Sequence, residues 1–157
     1  MLRAVAVALS ISALTLSAGL NAACGTEPRL SKDGYSRRVT AAFAAVEARL
    51  RPRPRIQRLE GTSGRLRAFK RALDRAAATL DRLDPPGDAE EEHLALVSAT
   101  RDYAHQVDLV RASVDFGDPV LIATHLREVT APARIRRAIR LLNAKGYRIP
   151  VHVALLR

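Results

Sequence analysis

Tryptophan is missing from this chain, methionine and cysteine occur once each, and three tyrosines and three phenylalanines are the only rings among 157 residues. A core this poor in aromatics has to be assembled from leucine, valine, isoleucine and alanine. A single cysteine excludes a disulfide within the chain and any Cys-x-x-Cys metal or haem-attachment motif. Gly-x-Ser-x-Gly and a glycine-rich phosphate loop are absent as well, so the common signatures of acyl transfer and nucleotide binding are not carried here. Nor is there a run of about 20 apolar residues, the length that a bilayer core of about 30 Å demands.

The longest apolar stretch opens the chain. Met1, Leu2 and Arg3 give a short positive start, Ala4 to Leu16 is apolar apart from Ser10, Ser12 and Thr15, and the small residues Ser17, Ala18, Gly19, Ala22 and Ala23 follow. This is the pattern of a secretory signal peptide over residues 1–23. Cys24 stands where the apolar run gives way to polar sequence, and a free thiol in an oxidising compartment is a liability. The segment Asn21-Ala22-Ala23-Cys24-Gly25 resembles the lipobox of bacterial lipoproteins, in which two small residues precede a cysteine that receives a diacylglycerol thioether. That family usually carries Leu, Val or Ile three residues before the cysteine; here the place is taken by Asn21, with Leu20 one position earlier. The resemblance implies lipidation at Cys24, a short tether over residues 24–30, and a domain held at the outer side of the cytoplasmic membrane. Two acyl chains suffice for this, at about 0.8 kcal/mol per buried methylene. The alternative is an ordinary signal peptide cut near Ala18 or Ala23, which leaves Cys24 as a thiol and the protein secreted.

Beyond the leader, apolar spacing predicts helices. Leu66, Phe69, Leu73, Ala76, Leu80 and Leu83 recur every three or four residues, one stripe of a helix over about 62–83. A helix over about 32–51 groups Tyr35, Val39, Ala42, Phe43, Val46 and Leu50, with Ser31 as its cap and Leu30 stapled onto Tyr35. A third, over about 89–116, has Asp88 as its expected cap, Glu90, Glu91 and Glu92 against its positive dipole end, and an inner face of Leu96, Val97, Thr100, Tyr103, Ala104, Val107, Val110 and Val114. A fourth starts at Gly117-Asp118-Pro119 and carries Leu121, Ile122, Leu126 and Val129. It breaks near 130–132, resumes through Ile135, Ile139 and Leu142 to Lys145, and stops at Gly146. Four amphipathic helices with short connections predict an all-α, antiparallel four-helix bundle over residues 31–157, with the tail from Tyr147 lying along it. Loosely, Leu-Ser-Lys-x-x-Tyr (Leu30 to Tyr35), Pro85-Pro86 before a histidine-bearing helix, and Ala-Lys-Gly-Tyr (Ala144 to Tyr147) resemble small helical lipoproteins of bacterial envelopes. That group implies no activity.

Chemistry has few candidates. Glu90-x-x-His93 has the spacing used in di-iron bundles and Asp102-x-x-His105 echoes it. At about 100° per residue, however, His93 falls beside the inner stripe while His105 points nearly opposite. No metal, cofactor or catalytic residue is therefore expected, and His125 with Glu128 reads as a solvated pair.

Charge is the remaining lead, with 26 basic against 16 acidic residues and a formal net charge of +10. Its distribution is segmental: fourteen basic and five acidic residues over 27–75, three against ten over 76–118, and eight against one over 119–157. Complementarity between neighbouring helices would account for such blocks. The densest patch, Arg49-Leu50-Arg51-Pro52-Arg53-Pro54-Arg55, is held extended by its prolines. Arg49, Arg51, Arg53 and Arg55 have no aromatic stacking platforms among them, which argues against nucleic acid. Anionic lipid or wall polymer is the expected counterpart. The sequence thus points to an exported, lipid-anchored, non-enzymatic helical domain that contacts anionic envelope surfaces or another envelope protein. The alternative is a carrier holding a ligand or metal in the bundle interior.

Overall fold

The computed structural model describes residues 29–50 and 59–150; the leader with Cys24, the segment from 51 to 58 and the tail from 151 onward lie outside the described residues. The fold is all-α, and no strand occurs among the described residues. Its elements are α1 (Lys32–Leu50), α2 (Leu59–Leu80), a 3-10 turn (Gly87–Ala89), α3 (Glu90–Phe116), α4 (Pro119–Arg127) and α5 (Ala131–Ala144).

Helix ends follow local chemistry. Ser31 Oγ accepts from Gly34 N at 3.2 Å and opens α1. α2 starts ahead of the expected Thr62 and stops at Leu80, short of Leu83. Its last turn tightens there, with Leu83 N on Leu80 O at 2.8 Å, as the chain prepares for Asp84-Pro85, where a helical residue before proline is disfavoured. Asp88 does not cap α3: the cap is Ala89, without a side-chain bond, because the 3-10 turn carries Asp88 away toward other partners. Asp118 does cap α4, its Oδ1 accepting from Val120 N at 2.8 Å and Leu121 N at 3.1 Å. The break between α4 and α5 is clamped by Gln106 of α3, whose Oε1 accepts from Ala131 N at 3.1 Å while its Nε2 donates to Thr130 Oγ1 at 3.4 Å. At the end of α5, Gly146 adopts φ 90°. There Gly146 N reaches Asn143 O at 3.0 Å and Tyr147 N reaches Leu142 O at 3.2 Å, the paired bonds of a Schellman stop.

α2 packs between α1 and α3, and α3 carries α5 and α4 on its other sides. Contacts between α3 and α5 run in reverse order, Glu92 with Lys145, Asp102 with Arg134 and Gln106 with Ala131, so α5 returns along α3. The core collects Tyr35, Val39, Phe43 and Val46 from α1, Leu66, Phe69, Leu73 and Leu80 from α2, Leu96, Tyr103 and Val107 from α3, and Ile135, Ile139 and Leu142 from α5. Phe69 and Tyr103 meet edge to face at 5.4 Å at its centre. α4 departs from expectation: it has no buried residue, Leu121 and Leu126 are exposed, and only Val129 beyond its end packs against the core. Among the described residues these nine pack chiefly against the end of α3.

Candidate functional site: a charged and aromatic cluster

At one end of the molecule the start of α1, the start of α3 and the residues after α5 come together. Lys32 lies in the first turn of α1, and its Nζ reaches Asp88 Oδ2 at 2.7 Å and the carbonyl of Lys145 at 2.8 Å. It also stands 5.0 Å from the centre of the Tyr147 ring. Lys145 in turn donates to Glu92 Oε2 at 2.6 Å and to the Asp88 carbonyl at 2.8 Å. The Tyr147 hydroxyl donates to Asp88 Oδ1 at 2.6 Å. Beneath this layer Tyr35, fully buried, shares a hydrogen bond of 3.0 Å with His93 Nδ1. Its ring meets His93 at 5.7 Å and Tyr147 at 5.4 Å, both edge to face.

Each side chain arrives for a local reason. Tyr35 is the first member of the α1 stripe, and His93 lies one helical turn before the Leu96–Val97 pair on α3, so both point inward. The Schellman stop turns the chain so that Tyr147 and Ile149, both buried, fall back against the helices. Ser36 Oγ then accepts from Arg148 N at 3.1 Å, and Asn143 Oδ1 accepts from Ile149 N at 3.0 Å, fixing the tail to α1 and α5.

The electrostatics are those of a settled network. The hydrogen bond from Lys145 holds the Glu92 carboxyl below the usual range. Asp88 is likewise held low, first by Lys32 and then by the Tyr147 hydroxyl. Burial raises the Tyr35 hydroxyl, and the negative charge of Glu92 adds to it. Tyr147 is raised by burial and by its bond to Asp88. Burial lowers His93, which favours a neutral imidazole. Both phenols stay protonated and both carboxylates stay charged through neutral pH, and the bonds among them fasten three chain segments together.

The residues singled out in the sequence lie elsewhere. Arg49 is exposed in the last turn of α1 with no ion pair among the described residues; Arg51, Arg53, Arg55 and Cys24 fall outside those residues. Glu90 and His93 do not converge, because Glu90 pairs with Arg29 at 2.8 Å while His93 turns to Tyr35. Asp102 pairs with Arg134 at 2.9 Å and His105 is exposed. Among the described residues no group of three or more His, Cys, Asp or Glu side chains is arranged to hold a metal ion. His125 Nδ1 lies 2.6 Å from Ser113 Oγ.

Nothing in the residue spacing shows the cluster as a unit. Its signal was nonetheless present: the three short motifs at Leu30 to Tyr35, around Pro85-Pro86 and at Ala144 to Tyr147 all sit at helix ends, and these are the ends that meet. No family model, curated protein or solved structure matches this chain.

Proposed function

We propose that the chain is an exported, lipid-anchored and non-enzymatic helical domain, an antiparallel four-helix arrangement with α4 and α5 as its bent fourth arm. In this reading Cys24 carries the anchor, and Arg49, Arg51, Arg53 and Arg55 engage anionic surfaces of the envelope. One observation carries it. Asp88, Glu90, Glu92 and Asp102 are paired with Lys32, Arg29, Lys145 and Arg134, yet exposed Arg37, Arg38, Arg49, Arg67, Arg71 and Arg75 of α1 and α2 have no ion pair among the described residues. Complementarity between helices therefore absorbs part of the positive charge and leaves a basic flank over. No helix among the described residues is long and apolar enough to cross a membrane, which is consistent with attachment from outside by acyl chains. The interior-carrier reading has less support, since the described groove of about 450 Å³ is an open, alanine-floored channel between α1 and α2 rather than a space inside the bundle.

Two measurements test the reading. A labelled fatty acid fed to the producing cell should label the wild type and not Cys24→Ser; equal labelling of both, or of neither, refutes the anchor. Residues 24–157 without acyl chains should sediment with anionic vesicles or isolated wall polymer at low salt. They should come off as the Debye length shrinks from about 10 Å at 0.1 M to about 3 Å at 1 M. Replacing Arg49, Arg51, Arg53 and Arg55 together should weaken binding more than replacing Arg82, Arg127, Arg137 and Arg140, four exposed arginines with no ion pair among the described residues. Equal losses would leave only overall charge at work.

A further inference from the structure

Two surfaces of the described fold are left without a cover, and they are opposite in charge. The first is the corner where α3 turns into α4. Phe116 is 82% exposed there, Val120 72% and Leu121 37%. Single exposed apolar residues are ordinary, but a ring and two branched side chains grouped at one corner, next to a helix that buries nothing, are not. Asp108, Asp115 and Asp118 against Arg111 make the corner net negative, and Arg127 and Glu128 at the other end of α4 offset each other. Two of these carboxylates are only half used. Asp115 gives Oδ2 to Arg111 at 2.6 Å, and Asp118 gives Oδ1 to the amides of Val120 and Leu121, so each keeps one oxygen without a partner among the described residues.

The second surface is the groove of about 450 Å³ between α1 and α2. Its floor is made of Ala41, Ala42 and Ala45 from α1 and Ala72 and Ala76 from α2. Among the described residues its only charged lining is Arg38 and Arg75, one from each helix. Both are exposed, and neither has an ion pair among the described residues. Alanine methyls on both walls leave a depth that larger side chains would fill. A cavity of about 150 Å³ already accepts a benzene ring, so this groove has room for a phenyl group and a branched neighbour. An apolar floor flanked by two unpaired guanidinium groups suits an apolar projection that carries carboxylates, and the α3–α4 corner is such a projection on the same chain.

We propose that this chain associates with itself head to tail, Phe116 and Val120 of one copy entering the α1–α2 groove of the next while Asp115 and Asp118 meet Arg38 and Arg75. The two surfaces differ, so the contact is heterologous, and each molecule offers one corner and one groove. Like surfaces are poor partners for one another, since two corners bring carboxylates together and two grooves bring arginines together. Phe116, Val120 and Leu121 form a patch smaller than the about 800 Å² per partner of a standard interface, so the association is weak and is seen at roughly 0.1 to 1 mM chain. This goes beyond the reading that the basic flank engages anionic surfaces and does not depend on it, because it assigns two arginines of that flank to the protein itself.

Sedimentation equilibrium of residues 24–157 carrying Cys24→Ser tests the contact, since that change removes the only thiol and with it any covalent dimer. All described core side chains lie between Tyr35 and Ile149, so these residues carry that core whole, and circular dichroism checks each variant before use. The average mass of this parent should rise with concentration over roughly 0.1 to 1 mM. The corner variant Phe116→Ser/Val120→Ser and the groove variant Arg38→Glu/Arg75→Glu should each raise the dissociation constant by about tenfold or more. Mixed in equal amounts they should form a pair and nothing larger, because the corner variant keeps its groove and the groove variant keeps its corner. Arg137→Glu/Arg140→Glu, at exposed positions of α5, changes net charge as much as the groove variant does and should associate like the parent. A parent that stays monomeric throughout overturns the proposal, and so does either face variant that associates like the parent. A mixture that stays monomeric while the parent associates means that like surfaces meet, and overturns the head-to-tail contact. Equal loss in the α5 variant leaves only overall charge at work and overturns it as well. The corner variant keeps every arginine, so its sedimentation with anionic vesicles reports on the surface reading separately.

Discussion

Replacing Tyr35 by phenylalanine removes one oxygen from the centre of the cluster and nothing else. The hydroxyl is buried and bonded at 3.0 Å to His93 Nδ1, on a residue that is itself only 4% exposed, so the imidazole has no water to turn to when the partner goes. A buried polar group left unsatisfied costs about 1 to 3 kcal/mol, more than the net worth of the bond that was lost. Tyr35→Phe should therefore fall in that range, and His93→Leu, which strands the phenol instead, should cost a similar amount. The double variant Tyr35→Phe/His93→Leu strands neither group. It should cost clearly less than the two singles added together, with a coupling of about 0.5 to 3 kcal/mol. Urea unfolding followed by circular dichroism at pH 7.5, with equal slopes for all four proteins, supplies the cycle. A loss below about 0.5 kcal/mol for Tyr35→Phe, or singles that add without remainder, would refute the view that this bond holds the two helices together. The same pair predicts a pH dependence. Burial lowers His93 in the fold, while in the unfolded chain it titrates near 6.5. Below that pH the unfolded state binds the extra proton, so this contribution is complete above about 6.5 and is lost as pH falls toward the folded value. The slope is at most about 1.4 kcal/mol per pH unit. His93→Gln should flatten the stability profile between pH 7 and pH 5, relative to wild type.

Elsewhere the expected effects are simpler. Leu73 and Leu80 are fully buried mid-stripe on α2, so Leu→Ala at either should cost about 2 to 5 kcal/mol, whereas exposed Arg75→Ala should stay within about 0.5 kcal/mol. Comparable losses at all three in urea titrations would mean that α2 is phased differently. Asp118→Ala removes the cap of α4 and should cost about 1 kcal/mol, with faster amide exchange confined to Val120 and Leu121. Gly146→Ala forces a side chain into φ 90° and should destabilise by about 1 to 2 kcal/mol, while Gly64→Ala, on the exposed side of α2, should be neutral or slightly stabilising. An unchanged unfolding midpoint for Gly146→Ala would contradict the left-handed stop.

Helices were legible because burial on a helix leaves a periodic trace. The stripe Leu66, Phe69, Leu73, Ala76 and Leu80 is buried member by member, and so are Tyr35, Val39, Phe43 and Val46 on α1. Proline and glycine marked a start and a stop with equal clarity, since Asp118-Pro119 and Gly146 act through backbone geometry that neighbouring sequence decides. α4 shows the limit of the method. Leu121, Ile122 and Leu126 have helical spacing, but spacing identifies a face without saying whether the fold has a surface to set against it. Asp88 shows another: a residue with the right chemistry and position for a cap was claimed by Lys32 and by Tyr147, 59 positions away. The cluster was out of reach for the same reason, because each of its bonds joins segments whose meeting depends on the whole arrangement of helices. Arg51, Arg53, Arg55 and Cys24 lie outside the described residues, and their roles are for the labelling and binding experiments to decide.

The fastening of α1 to the segment after α5 has a consequence in time. Lys32 waits for the carbonyl of Lys145 across 113 positions, and Ser36 for the amide of Arg148 across 112. A chain is made from its amino end, so α1 emerges with Tyr35 bare on one side and stays so while α2, α3, α4 and α5 are still being strung together. The segment that clothes it is made more than a hundred residues later. Until then that side of α1 is open to a chaperone or a protease, and a product interrupted before Tyr147 would keep it uncovered for as long as it lasts.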